Sequence, residues 1–305
     1  MKFSMAIPVG DTTPGEFQTL DAVREMAGAL EKAGLDACYV TDHPAPSAQW
    51  LHTAGLGHDA LDPFAALAFV ASVSSTLLLQ TNIVVLPYRN PFITAKAAAT
   101  VQVLSGGRLI MGTAPGYQKG EFEALGVDFH KRGAIMDEAL DTIRLAWAGG
   151  AVVKEGRSFH AKGNEPRPAP NPAPPIWIGG GSDKAVQRAA RAGDGWCPFF
   201  ADPRMSKVNQ DAAVQSIEHL GERLKQIAEM RDQFGRSGSF EVQLSPLQKL
   251  AFGRSDQVQQ YVDAIGALAD AGVHWAAVEP PHPSRAAYIE QVHWFGEEVI
   301  AKLRG

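Results

Sequence analysis

Cysteine is scarce in this chain of 305 residues: Cys38 and Cys197 are the only two, and neither belongs to a CxxC pair. So few thiols exclude a disulfide framework and suit a reducing compartment, so a cytoplasmic location is expected. The start, MKFSMAIPVGD, lacks the apolar stretch and small-residue cleavage site of a signal peptide. No segment supplies the roughly 18 apolar residues of a membrane span. Positive charge is not in excess either: 28 Lys and Arg stand against 33 Asp and Glu, a net charge of -5. That gives no general attraction for nucleic acid or an anionic membrane. His52, His58, His130 and His160 show neither HExxH nor another compact ligand spacing, so no metal is assigned. A GxSxG nucleophile elbow, GxGxxG after the first strand and GxxxxGKS/T are all missing, which argues against a serine hydrolase, a Rossmann dinucleotide fold and a P-loop.

What is present is enough apolar residue, 45% of the chain, for one large domain or two ordinary ones. Lys2 to Ile7 reads as a strand. A helix from about Thr19 to Ala33 follows, with Val23, Met26, Ala27 and Leu30 at helical spacing, Thr19 as its cap and Gly34 as its stop. Ala37 to Val40 is the next strand. The alternation repeats through a helix opened by Asp62-Pro63, a strand Leu77 to Val85, a helix opened by Asn90-Pro91, a strand Leu109 to Met111 and a helix Arg132 to Trp147. It breaks between 149 and 175, where Val152 to Phe159 suggests a hairpin centred on Glu155-Gly156. The stretch EPRPAPNPAPP there holds six prolines and must run extended. The rhythm resumes with strands at Ile176 to Ile178, Trp196 to Pro198, Phe240 to Leu244 and His274 to Val278. Helices lie at Asp183 to Arg191, about Lys207 to Phe234, Ser255 to Ala271 and Ser284 to Leu303. Eight strand-helix units match an α/β fold of the (β/α)8 TIM-barrel type, one domain over 1–305, with an insertion at 149–175 that would cover the site or cross the surface.

In such a barrel function gathers at the carboxyl ends of the strands. Strand two ends in Thr41-Asp42-His43-Pro44: His43 could exchange a proton near neutral pH, and Asp42 could fix its tautomer or bind a cofactor, or the pair could be a satisfied turn. Strand three leads into Tyr88-Arg89, where the arginine faces solvent or pairs with a carboxylate. Gly112, Gly116 and Tyr117 after strand four could admit a ligand to the backbone or simply make a tight turn. Glu121 and Glu123 read as surface. After strand five, Gly179, Gly180, Gly181 and Ser182 precede a helix and could present amides to a phosphate, or be a turn capped by Ser182. Lys184 and Arg188 read as surface of that helix. Glu279 and His282 read as loop residues.

Taken together, TDHP at 41–44, LQTNIVVLPYRNP at 79–91, LSGGRLIMGTAPGYQKGEFEALG at 104–126 and PPIWIGGGSDKAVQRAARAGDGW at 174–196 resemble the bacterial-luciferase-like barrel oxidoreductases, above all their branch dependent on coenzyme F420. The resemblance implies a deazaflavin or flavin ring at the barrel mouth. Asn82, Ile83 and Val84 would lie beside it, with a cis peptide between Asn82 and Ile83; Asp42 and His43 would be near the ring and Gly179 to Ser182 at its phosphate. It implies hydride transfer between F420 and a small organic substrate with His43 handling the proton, or FMN-dependent monooxygenation served by a separate reductase, and a possible homodimer. The glucose-6-phosphate dehydrogenases of that branch carry a tryptophan four residues beyond the histidine and a glutamate shortly after the strand-four glycine. Ser47 and Pro115 stand there here, which speaks against sugar-phosphate oxidation. A non-catalytic flavin-binding barrel, or a phosphosugar isomerase or aldolase, would keep the phosphate turn; the latter would need a catalytic Lys, Glu or metal group at the mouth.

Overall fold

A computed structural model describes residues 1–11, 13–52, 58–202 and 213–304. Eight parallel strands form the barrel: β1 (Lys2–Ala6), β2 (Ala37–Val40), β3 (Leu78–Val85), β4 (Leu109–Ala114), β7 (Ile176–Gly179), β8 (Gly195–Cys197), β9 (Glu241–Val242) and β10 (Trp275–Val278). The remaining two, β5 (Val152–Glu155) and β6 (His160–Asn164), pair antiparallel outside it. The barrel order is β10-β1-β2-β3-β4-β7-β8-β9, and a bridge between Gln243 and Trp275 joins its two ends. Among the described residues no helix is long and apolar enough to cross a membrane.

Local chemistry sets the helix starts. Thr19, Asp62, Asn90 and Ser182 each accept a backbone N–H at the first turn of α1 (Leu20–Lys32), α3 (Pro63–Ala71), α4 (Pro91–Leu104) and α7 (Asp183–Ala192). Such a cap meets donors that a helix leaves unpaired. Two short helices, α2 (Ala48–Leu51) and α5 (Lys119–Ala124), lie in the loops after β2 and β4, and α6 (Arg132–Trp147) follows. Further helices span Ile217–Gln233, Val258–Asp270 and Arg285–Phe295.

Strand alternation divides the core in two. Phe3, Met5, Cys38, Leu79, Met111, Ile178 and Ala276 face outward to the helices in the main core. Ala37, Ile110, Trp177, Cys197 and Trp275 fill the barrel, with Leu78 and Ile83 against them. Trp177 and Trp275 meet edge to face at 5.5 Å, so the interior is packed rather than hollow. Burial of each large apolar side chain contributes about 1.5–3 kcal/mol. Burial also pushes the Cys38 and Cys197 thiols up to about 12, so both behave as small apolar groups.

Four elements differ from the sequence reading. The hairpin extends beyond 159: its turn closes with Gly156 N donating to Phe159 O, and the second strand is the polar run His160–Asn164. The helix expected from Lys207 starts, within the described residues, only at Ile217, because Val214 bridges to Phe200 in extended form; 203–212 lie outside the described residues. Strand β4 continues to Ala114. The last helix widens into a π-turn at Gly296–Ile300, where a Cβ on Gly296 would lie 2.7 Å from Ala33 O. The hairpin runs along the outer wall of α4 and α6, with Phe159 edge-on to Phe92 and Arg157 N donating to Glu138.

Candidate functional site

The carboxyl end of β2 places Thr41, Asp42 and His43 in succession. Asp42 is 3% exposed, and both its oxygens are engaged. Oδ2 accepts from Val85 N at 2.9 Å and from Arg89 Nη1 at 2.6 Å, and Oδ1 accepts from Arg89 Nη2 at 2.8 Å. This two-pronged ion pair ties the end of β2 to the turn after β3. Burial works against the Arg89 charge, but the bonds and charge of Asp42 outweigh it and raise the guanidinium further. Of the two sequence readings of Arg89, pairing with a carboxylate is the one realised, and Asp42 is a brace between strands.

His43 stands next to this brace and is half-buried. Its Nδ1 lies 3.2 Å from Glu121 Oε2 and 3.0 Å from Gln118 Nε2. Glu121, read from sequence as surface, is 1% exposed; its Oε1 accepts from Ala45 N at 3.2 Å, and its Oε2 also accepts from the Tyr88 hydroxyl at 3.0 Å. Gln118 and Glu121 are three residues apart, one helical turn, so the start of α5 presents both to the same imidazole. Glu123 on the other face is exposed, as expected. Burial first, then the neighbouring Glu121 charge, raise the Tyr88 phenol well above its ordinary range, so it stays a hydroxyl donor.

Aromatic rings close around His43. Trp50 of α2 lies 4.4 Å from it, His58 5.0 Å and Tyr117 6.4 Å, centroid to centroid. His58 Nε2 sits 3.0 Å from Thr41 Oγ1. An indole and a carboxylate therefore reach the histidine after all, from Trp50 and Glu121 rather than from positions 47 and 115. Ser47 caps the short helix that carries Trp50. Glu121 and Gln118 both meet Nδ1, so Nε2 is the ring nitrogen turned away from them.

Beside this cluster, β3 bulges between Thr81 and Val84, and the Asn82–Ile83 peptide is cis. Ile83 turns into the barrel: its Cγ2 lies 3.5 Å from where a Cβ would stand on Gly112 and equally far from one on Gly179. Val84, by contrast, is fully buried in the helix-side core. The glycines have separate reasons. A Cβ on Gly112 would stand 2.2 Å from Thr81 O, so this residue lets the bulge pack on β4; Gly116, at φ +81°, would drive a Cβ to 2.6 Å from Val85 Cγ1. Gly180 has φ +93° and accepts from Trp196 Nε1 through its carbonyl at 2.7 Å. Gly181 and Ser182 complete the turn into α7, where Ser182 Oγ caps Ala185 N at 3.3 Å. This turn stands three strands around the barrel from His43. Arg188, expected at the surface, is 9% exposed and paired with Asp137 at 2.7 Å; Lys184 is exposed.

The profile of the family described as luciferase-like monooxygenase matches residues 1–257. An uncharacterized protein of Mycobacterium tuberculosis (strain ATCC 25618 / H37Rv) is 27% identical over 255 residues, covering 81% of this chain and 80% of its own length. The F420-dependent glucose-6-phosphate dehydrogenase of Mycobacterium avium (strain 104) is 30% identical over 205 residues, covering 62% of this chain and 58% of the relative. Among solved structures, an F420-dependent secondary alcohol dehydrogenase in complex with an F420-acetone adduct superimposes with a TM-score of 0.75 at 16% identity, over 100% of this chain and 99% of that one. At that identity the likeness is one of fold.

Proposed function

Because the chain belongs to the luciferase-like monooxygenase family, whose members are F420- or flavin-dependent oxidoreductases and monooxygenases, we propose that it is an F420-dependent oxidoreductase acting on a small organic substrate. The observation that carries this reading is the His43–Glu121 pair at the barrel mouth, an imidazole with one nitrogen held by a buried carboxylate and the other left for chemistry. The 30% identity to an enzyme named as F420-dependent supports the cofactor.

The residues at the mouth fit such a group. Ile83 is only partly buried at the bulge and offers an apolar edge against which a flat ring would lie, while Gly112 and Gly179 let Ile83 pack there, its Cγ2 standing 3.5 Å from where either Cβ would be. Asn82 and Ile83 would lie beside the ring with the backbone of Val84; Gly116 and Tyr117 would close the strand-four side. Gly179, Gly180, Gly181 and Ser182 would take the phosphate at the start of α7, where the helix dipole favours an anion; the Gly180 amide is itself engaged by Cys197 O, so the amides of Gly181 and Ser182 would carry the contact. Asp42 would act through its brace on this bulge. When bound, the deazaflavin supplies the hydride-accepting or hydride-donating carbon.

The chain's own residues handle the proton. With Nδ1–H directed to Glu121, neutral His43 presents a bare Nε2 that accepts a hydroxyl proton in the oxidising direction; as imidazolium it donates one in the reducing direction. Trp50, His58 and Tyr117 shield this exchange from bulk water. The indole and carboxylate around His43 come from Trp50 and Glu121; Ser47 and Pro115 stand where the resemblance would place them for sugar-phosphate oxidation, so that substrate is not proposed.

The family description favours one second reading, a reduced-flavin monooxygenase fed by a separate reductase. Parallel titration of the apo-protein with F420 and with FMN separates the two. The proposal expects F420 to bind at least about ten times more tightly, a difference of roughly 1.4 kcal/mol; the reverse order would replace it with the monooxygenase reading.

A further inference from the structure

The mechanism above leaves Tyr88 without a part. We infer that Tyr88 is a positioning residue: its hydroxyl holds Glu121 in the orientation that keeps the His43 ring proton on Nδ1. The inference rests on the reading of His43 as the proton-handling group.

Two neighbours compete for His43 Nδ1. Glu121 Oε2, at 3.2 Å, favours a proton there. The Gln118 side-chain nitrogen, at 3.0 Å, favours the opposite tautomer, in which Nδ1 accepts an amide N–H and Nε2 carries the proton. One nitrogen cannot do both. The outcome depends on whether Glu121 keeps an oxygen turned to the ring. Glu121 is 1% exposed, so its oxygens rely on hydrogen bonds from the protein rather than from solvent. Its ion-pair partner among the described residues is His43 itself. Besides His43, Ala45 N donates to its Oε1 and the Tyr88 hydroxyl to its Oε2.

Tyr88 approaches the same oxygen that faces the imidazole, so it fixes the direction of that oxygen. The phenol stays protonated and therefore donates. Its own position is secure. The ring packs edge-on to Phe122 at 4.8 Å, and the next residue, Arg89, is anchored on Asp42. The turn Leu86–Tyr88 with Arg89 thus sends two successive side chains to the two residues that flank the His43 function, Asp42 in the chain and Glu121 in space.

Tyr88→Phe removes the hydroxyl and keeps the ring. Heteronuclear NMR of the histidine ring nitrogens in the apo-protein at neutral pH, with the His43 signals assigned by their loss in His43→Gln, reads the tautomer directly and needs no cofactor. Wild type is expected to show the proton on Nδ1. In Tyr88→Phe a population with the proton on Nε2 appears, and adding Gln118→Ala to that variant restores the Nδ1 form by removing the competing donor. Turnover by Tyr88→Phe falls about tenfold, with the KM for cofactor unchanged. A folded Tyr88→Phe protein with the wild-type tautomer, or a wild-type protein already protonated on Nε2, overturns the inference. If the tautomers behave as stated while neither F420 nor FMN binds, the positioning role stands and the proposed function falls.

Discussion

Alanine at position 112 is expected to destabilise the protein by about 4 kcal/mol or more, and alanine at position 28 to stabilise it by about 0.5–1 kcal/mol, although each change adds the same methyl group. The difference lies in what the methyl meets. At Gly112 it falls 2.2 Å from the Thr81 carbonyl oxygen, a backbone atom in the adjacent strand, with Ile83 Cγ2 at 3.5 Å. Relief requires β3 and β4 to separate at the bulge that forms one wall of the site, which breaks the ladder carrying Thr113 and Val84 as well. At Gly28, in the exposed face of α1, nothing lies within 4 Å of the new Cβ, and the substitution acts by restricting the unfolded chain. Urea denaturation of both variants checks this. For Gly112→Ala a melting temperature roughly 8 °C or more below wild type is expected; equal effects at the two positions would show that the strand contact at Gly112 is looser than described.

His43→Ala is expected to lower turnover by about 100- to 1000-fold, on any substrate a screen with F420 identifies, while the Kd for F420 changes no more than about threefold. Proton exchange at Nε2 belongs to the transition state, whereas the phosphate turn and the Ile83 ledge would hold the cofactor in both ground and transition states. Glu121→Gln loses the anion facing Nδ1 and is expected to cost about tenfold in kcat, again with little change in cofactor affinity. Steady-state kinetics beside equilibrium binding separates these effects. A His43→Ala enzyme with unaltered kcat would remove the imidazole from the chemistry.

The interstrand brace gives a milder expectation. Asp42→Asn leaves the Arg89 guanidinium with Asp62, at 3.3 Å, as its remaining carboxylate, and is expected to cost about 2 kcal/mol; Asp42→Asn combined with Arg89→Met recovers part of that loss, because no uncompensated charge is then left behind. Chemical denaturation of the two single variants and the double variant checks the sign of the coupling. Simple additivity of the two losses would show that Asp42 and Arg89 do not act as a pair.

Much of the barrel was legible because its signals are local. Thr19, Asp62, Asn90 and Ser182 announce helix starts by side-chain chemistry, and the apolar runs of β2, β3 and β7 announce strands covered on both faces. The second hairpin strand was not legible: HAKGN alternates no apolar residues, and its pairing with Val152–Glu155 is made by the turn at Gly156. The π-turn at Gly296 depends on the approach of Ala33 from the far end of the chain.

The site divides in the same way. His43 was visible as a polar residue at a strand end before proline. Glu121 was not, because in QKGEFEAL two glutamates look alike and only the packing of α5 buries one and exposes the other. The three-residue spacing of Gln118 and Glu121 is the signal that could have singled it out. The role of Arg89 has no local signal, since its partner Asp42 lies 47 positions away in the chain. Trp50 carries no local mark, since only the turn of α2 brings its ring onto the imidazole.

The most direct test of the central claim is equilibrium binding of F420 and of FMN to the apo-protein, followed by fluorescence quenching, with His43→Ala alongside. The account predicts preferential F420 binding in both proteins. Preference for FMN would make the protein a flavin-dependent member of its family, and failure of a folded protein to bind either would contradict the assignment of the barrel mouth as a cofactor site.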